Sequence, residues 1–149
     1  MKAIIQLLVF LFVFSYNLFC QNIVKDKAEK AIYALIDQYS LAREKQDTVL
    51  LKSILKENID QLVSNGEWRY GLAAATKGMM QSSATNSGKR SLTVEKVKFL
   101  NKNAAIADAR YEIQNIDGTQ RKMWSSFICV KKKGIWKISA IRNMLPAKP

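Results

Sequence analysis

Apolar residues follow two periods along this chain, a helical one early and an alternating one late. In residues 25–46, Ala28, Ile32, Leu35, Ile36, Tyr39 and Ala42 recur at helical spacing and predict one helix with a single buried face. Lys30, Asp37 and Arg43 fill polar positions of that helix. Asp47 is placed to cap a second, short helix whose buried set is Leu50, Leu51, Ile54 and Leu55. Residues 59–64 then read as a strand, with Ile59, Gln61 and Val63 on one phase and Asp60, Leu62 and Ser64 on the other. Asn65-Gly66 is a turn signal, residues 67–70 a brief returning strand, and residues 72–81 a third helix rich in Ala and Met. The small, polar residues 82–88 predict a loop.

The remainder reads as antiparallel strands. Leu92 and Val94 occupy one phase and Val97 and Phe99 the other, so a slip at Glu95-Lys96 predicts a bulge in a strand over 89–100. Ala105, Ala107, Ala109, Tyr111 and Ile113 alternate cleanly, and Asp117-Gly118 marks the next hairpin. Residues 121–133 are apolar on both phases, the pattern of a strand covered on both faces. After a turn at Lys133-Gly134, residues 135–144 form the last strand. Helices first and a strand meander afterwards predict an α+β domain, its helices packed in a strongly curved antiparallel sheet.

The first twenty residues change the picture of address. Lys2, the apolar stretch from Ala3 to Phe14, and a mixed segment ending at Cys20 have the layout of a cleavable signal peptide. A spanning helix wants about 20 predominantly apolar residues, and Ser15, Tyr16 and Asn17 interrupt this one. A lipoprotein reading, with Cys20 acylated, is disfavoured by the bulky Phe19 before it. The expected organisation is a leader at 1–20, an extension at 21–27, one domain at 28–145 and a tail at 146–149. The expected address is exported, periplasmic or extracellular, with membrane contact only through the leader.

Composition narrows the chemistry. There is no histidine, so Ser-His-Asp and Cys-His sites and His-ligated metals are excluded. With Cys20 removed, Cys129 has no disulfide partner, and its reading is a small buried apolar residue. The net charge is +12, a field that attracts polyanions or anionic membranes. The run Lys131, Lys132 and Lys133 sits at a hairpin turn, where a solvated tip is the plainer reading. Aromatic residues do not interleave with the basic ones as a stacking platform for single strands requires, so specific nucleic-acid binding is not expected.

Two segments carry a resemblance. Residues 60–71 (DQLVSNGEWRYG) give strand, Gly turn and a second Gly opening a helix; residues 134–143 (GIWKISAIRN) give a turn and a Trp-x-Ile strand. With the Ala42 to Asp47 junction, this resembles the nuclear-transport-factor-2-like (NTF2-like) superfamily, in particular its small secreted SnoaL-like and DUF4440-like branch. The resemblance implies a cone-shaped α+β half-barrel, often a homodimer through its sheet. Its members include ketosteroid isomerase, polyketide cyclases and many non-catalytic binding domains. Relatives often carry histidine where Arg142 stands, and that departure weakens transfer of a catalytic role.

The candidate pocket follows from this expectation. Trp136, Ile138, Ala140 and Arg142 share one face by the period of two. Arg142 then either binds an anion at the mouth of the cone or makes a structural pair with a carboxylate. Asp60, loosely comparable in position to the isomerase base, is a candidate base, with a solvated turn residue as the alternative. Tyr39 is a candidate donor, with a core aromatic as the alternative. Trp68, Met80, Tyr111 and Trp124 are candidates for an apolar wall, with core packing as the alternative. No metal and no cofactor are expected. Three functions remain open: a non-catalytic domain binding a small apolar or anionic ligand or a protein; an isomerase- or cyclase-like enzyme using Asp60 and Tyr39; and a dimeric interaction module.

Overall fold

The computed structural model describes residues 25–85 and 88–146; the expected leader and Cys20 lie outside them. The described residues divide into two units, one ending at Ala31 and one beginning at Ile32. Of the first, residues 25–31 are helical. All that follows concerns the second.

Helix α1 (residues 32–44 of this unit) buries Ile32, Leu35, Ile36, Tyr39 and Ala42, the stripe its spacing predicts. Past its end Gln46 takes a φ of 53° and turns the chain. The Asp47 carboxylate then accepts from the Leu50 amide at 2.9 Å and caps α2 (Thr48–Ile54), which buries Leu51 and Ile54. Leu55 belongs to the next strand, because it pairs with Ile138. Strand β1 therefore spans Leu55–Leu62, starting four residues earlier than residue 59.

After β2 (Trp68–Tyr70), α3 runs over Gly71–Thr85. The expected helix stops at residue 81 and a loop begins at 82. Instead Ser83 is buried and bonded to α1, a tertiary contact that extends the helix against its small, polar composition. Four strands complete the chain: β3 (Lys89–Asn101), β4 (Ala104–Gln114), β5 (Gln120–Lys132) and β6 (Ile135–Met144).

The architecture is α+β: helices followed by a curved, unclosed six-stranded sheet in the order β2-β1-β6-β5-β4-β3. All neighbouring pairs are antiparallel except β1 and β6, which run parallel. A parallel pair needs a long connection, and here β2 to β5 and α3 all lie between its members. Curvature has identifiable sources. Glu95 is the extra residue where the register of β3 slips, as its sequence phase predicts. Ser139 is a second extra residue, since Ile128 pairs with Ala140 and Cys129 with Ile138.

The concave face carries Ala105, Ala107, Ala109, Tyr111 and Ile113 from β4 and Met123, Ser125, Phe127 and Cys129 from β5. Trp136 and Ile138 of β6 join them, Trp136 edge-on to Phe99 of β3 at 6.3 Å between ring centroids. The opposite phase of β5, with Trp124, Ile128 and Val130, is half-buried or exposed rather than covered on both faces.

Candidate functional site

Arg43 continues the buried stripe of α1 at a spacing of four from Tyr39, so a guanidinium is carried into the concave side and is only 5% exposed. Its Nε donates to Ser83 Oγ at 2.9 Å and its Nη1 to the Tyr39 hydroxyl at 2.8 Å. The Tyr39 ring meets Phe127 edge-on at 5.1 Å between centroids. No carboxylate pairs with Arg43 among the described residues; their ion pairs all lie elsewhere. A buried cation without an anion is costly, because burial strips its water and nothing of opposite sign replaces it.

A second arginine stands in the same cluster. Arg90 Nε donates to the Tyr111 hydroxyl at 3.2 Å, and its Nη2 donates to the Ser82 carbonyl at 3.2 Å, at the C-terminal end of α3. Its charge complements the partial negative charge of those last carbonyls. Tyr39, Arg43, Tyr111 and Arg90 are close enough to act on one another electrostatically.

The cluster presents donors and positive charge. Each phenol oxygen accepts from a guanidinium, which leaves each O–H hydrogen to be donated elsewhere. Burial pushes the Tyr39 phenol above its ordinary value although Arg43 pulls the other way, so the phenol stays neutral at physiological pH. Burial works against the Arg43 charge, but the Tyr39 and Tyr111 oxygens together outweigh it, so Arg43 stays protonated. Deeper polar atoms line the concave side as well. Ser125 Oγ donates to Asn143 Oδ1 at 2.7 Å, and Thr76 Oγ1 is buried without a partner.

The residues singled out from sequence are not all brought together. Tyr39, Tyr111 and Trp136 lie on the concave side. Arg142 does not. The extra residue Ser139 shifts the phase of β6, so Ile141 takes the buried position and Arg142 falls on the outer face with Ala140. There it pairs with Asp60 at 2.5 Å and lies over the Trp68 ring at 4.8 Å. Asp60 therefore faces away from Tyr39, and the two cannot serve one cavity as base and donor. Trp68 stacks on Tyr70 at 5.7 Å and is 45% exposed, bordering an open groove between β2 and α3 rather than an interior wall. Trp124 pairs with Met144 on the outer face. Met80 is half-buried, while Met79 turns into the core with Ala75, Thr76 and Ser83.

Arg43 was readable as the stripe's next member, at the spacing of three and four that already links Ile36 to Tyr39. Its charge placed it among the polar positions instead.

Cys129 is fully buried, and burial alone pushes its thiol from the ordinary value near 9.0 up to about 12. The folded thiol holds its proton more tightly than the unfolded one. Its stabilising contribution is complete below pH 9 and is lost as pH rises from 9 towards 12. Urea melts across this range should show stability falling, and Cys129→Ala should flatten that fall.

No family model and no curated protein sequence matches the chain. Solved structures do. A domain of unknown function with a cystatin-like fold from Nostoc punctiforme superposes with a TM-score of 0.71 at 18% identity, over 80% of this chain and 78% of that one. An NTF-2 like protein of unknown function from Shewanella oneidensis gives 0.68 at 16% identity, over 78% of this chain and 98% of that one. This chain has the NTF2-like fold. A third structure with this NTF2-like architecture is a putative scytalone dehydratase from Novosphingobium aromaticivorans, with a TM-score of 0.70 at 13% identity, over 83% and 87% of the two chains. At such identities the shared property is the fold, and NTF2-like neighbours include both enzymes and uncharacterised proteins.

Proposed function

We propose that this NTF2-like domain is an exported, non-catalytic binding protein of the SnoaL-like and DUF4440-like kind. Its concave side takes a small molecule with an anionic group and an apolar or aromatic body. One observation carries the reading: Arg43 is buried among hydroxyl groups and aromatic rings with no carboxylate beside it among the described residues. The ligand's anion is the missing counter-charge. The phenols of Tyr39 and Tyr111 donate to it, and Phe127, Met79 and Met123 supply apolar surroundings. The isomerase-like alternative loses its support, because its base and its donor lie on opposite sides of the sheet.

Benzoate and its neutral counterpart benzamide are the probes. Benzoate should raise the melting temperature saturably and benzamide should not. A hydrogen bond to a charged group is worth about 1.5–3 kcal/mol, so Arg43→Met should weaken benzoate at least about tenfold. The variant itself should keep its stability or gain some, since an unpaired buried charge gives way to an apolar chain of similar length. Equal shifts from both probes, or an unchanged response in Arg43→Met, would contradict the reading. Turnover of any substrate abolished by Asp60→Asn would restore the enzymatic alternative.

We further read the outer face as the seat of a second copy. Trp124, Met144 and Trp68 are exposed there beside half-buried Ile128 and Val130. Sedimentation should give a dimer that Trp124→Arg converts to monomer; a monomeric parent protein would end this part of the proposal.

A further inference from the structure

At the end of the sheet where β5 turns into β6, we infer a docking site for the surface of an anionic phospholipid bilayer. Strand β1 leaves β6 between Leu55 and Asp60, and a cleft of about 370 Å³ opens in the gap. Leu55, Leu72, Val130 and Ile135 give it an apolar lining. Lys52, Lys56, Lys132, Lys133 and Lys137 surround it, with Glu57 as the one acid among its lining residues. None of these lysines is in an ion pair among the described residues. Five like charges around an apolar cleft repel one another, and an anionic surface relieves that repulsion.

The tips beside the cleft make a flat anionic sheet of lipid the fitting partner. Ile135 is 64% exposed at the β5–β6 tip, and Leu100 is 53% exposed at the β3–β4 tip with Lys102 next to it. The two tips are joined by a bond from the Lys131 amide to the Asn103 carbonyl at 2.8 Å. Aliphatic side chains that protrude between lysines suit the headgroup boundary of a bilayer, where apolar atoms enter the acyl region and ammonium groups meet phosphates. A soluble anion would leave them in water.

Turn geometry is a second, independent sign. Lys133 and Gly134 have φ of 51° and 83°, so both residues of this two-residue turn are left-handed. Asn, Asp or Gly is favoured at the first position. Lysine stands there against the steric preference, and its gain is a cation at the extreme tip.

The test uses the full chain with vesicles of phosphatidylcholine alone or with phosphatidylglycerol added. Binding should require phosphatidylglycerol and fall with salt. Each lysine near such a surface is worth about 1 kcal/mol, or roughly fivefold, so Lys132→Glu with Lys133→Glu should reduce partitioning about thirtyfold or more. Lys89→Glu with Lys122→Glu changes the net charge equally, at the opposite ends of β3 and β5, and should have little effect. A local readout separates this site from the apolar leader: compared with the parent chain and its Trp68, Trp124 and Trp136, Ile135→Trp should add emission that brominated acyl chains quench in anionic vesicles only. Equal losses from both charge pairs would mean that the net field alone binds. Absence of quenching at position 135, or a single-stranded oligonucleotide bound more tightly than the vesicles, would also overturn the proposal.

Discussion

Phe127→Ala should cost about 3–5 kcal/mol of folding stability, the loss typical of emptying a fully buried phenylalanine site. Domains of this kind are stable by about 5–15 kcal/mol, so the variant stands near the edge of folding. Phe127 is 1% exposed at the middle of β5 and takes the edge of the Tyr39 ring. Its removal opens space beneath the residue that receives the Arg43 hydrogen bond. The expected result is a large fall in the urea midpoint, with a weaker benzoate response in whatever fraction remains folded. A change below about 1 kcal/mol, the level of many surface substitutions, would mean that Phe127 is not a central packing residue.

The second large effect is expected at Gly88. A Cβ added there would sit 2.1 Å from the Gln114 carbonyl oxygen and 2.7 Å from its carbon. Both are backbone atoms, so the clash cannot be relieved by swinging a side chain aside. The start of β3 or the end of β4 must move, and forced shifts of that sort cost about 1–3 kcal/mol. Arg90 lies two residues on and reaches Tyr111 across the same strand pair. Gly88→Ala should therefore lower the urea midpoint and also weaken benzoate binding. An unchanged midpoint would mean that the backbone at Gly88 and Gln114 separates without cost. Gly78 makes an informative contrast. The atoms nearest its added Cβ all belong to the Arg69 guanidinium, the end of a flexible chain, and alanine favours the surrounding helix.

These contrasts indicate which parts of the molecule its sequence could express. Local chemistry was legible. Asp47 as a cap, Asn65-Gly66 as a turn, Glu95 as a bulge and the alternation from Ala105 to Ile113 each depend on a few neighbouring residues. What escaped depends on distant ones. Ser139 looks like any residue of an alternating strand, and only its partners Ile128 and Cys129 make it the extra one. That single insertion decides which face Arg142 occupies. Residues 82–85 have a loop's composition, and the Arg43 bond to Ser83 holds that segment in the helix. Trp124, Ile128 and Val130 read as one side of a doubly covered strand. In the structure that side is the outer face, where Trp124 is exposed and Ile128 and Val130 are half-buried.

The candidate site divided the same way. Tyr39 and Tyr111 were legible as inward aromatics because periodicity alone places them. The arginines that give the site its charge were not. Pattern reading assigns charged residues to water, and Arg43 is the exception, buried with no carboxylate beside it among the described residues. Fold resemblance drew attention instead to Asp60 and Arg142, which satisfy each other on the far side of the sheet.

The parallel pairing of β1 with β6 sets the order in which the molecule can be assembled. During synthesis on a ribosome, β1 and β2 emerge early and β3, β4 and β5 later, yet no backbone ladder joins these two groups of strands. Both wait for β6, which enters between β1 and β5 like a keystone. Until then β1 is an open edge that invites pairing with other nascent chains.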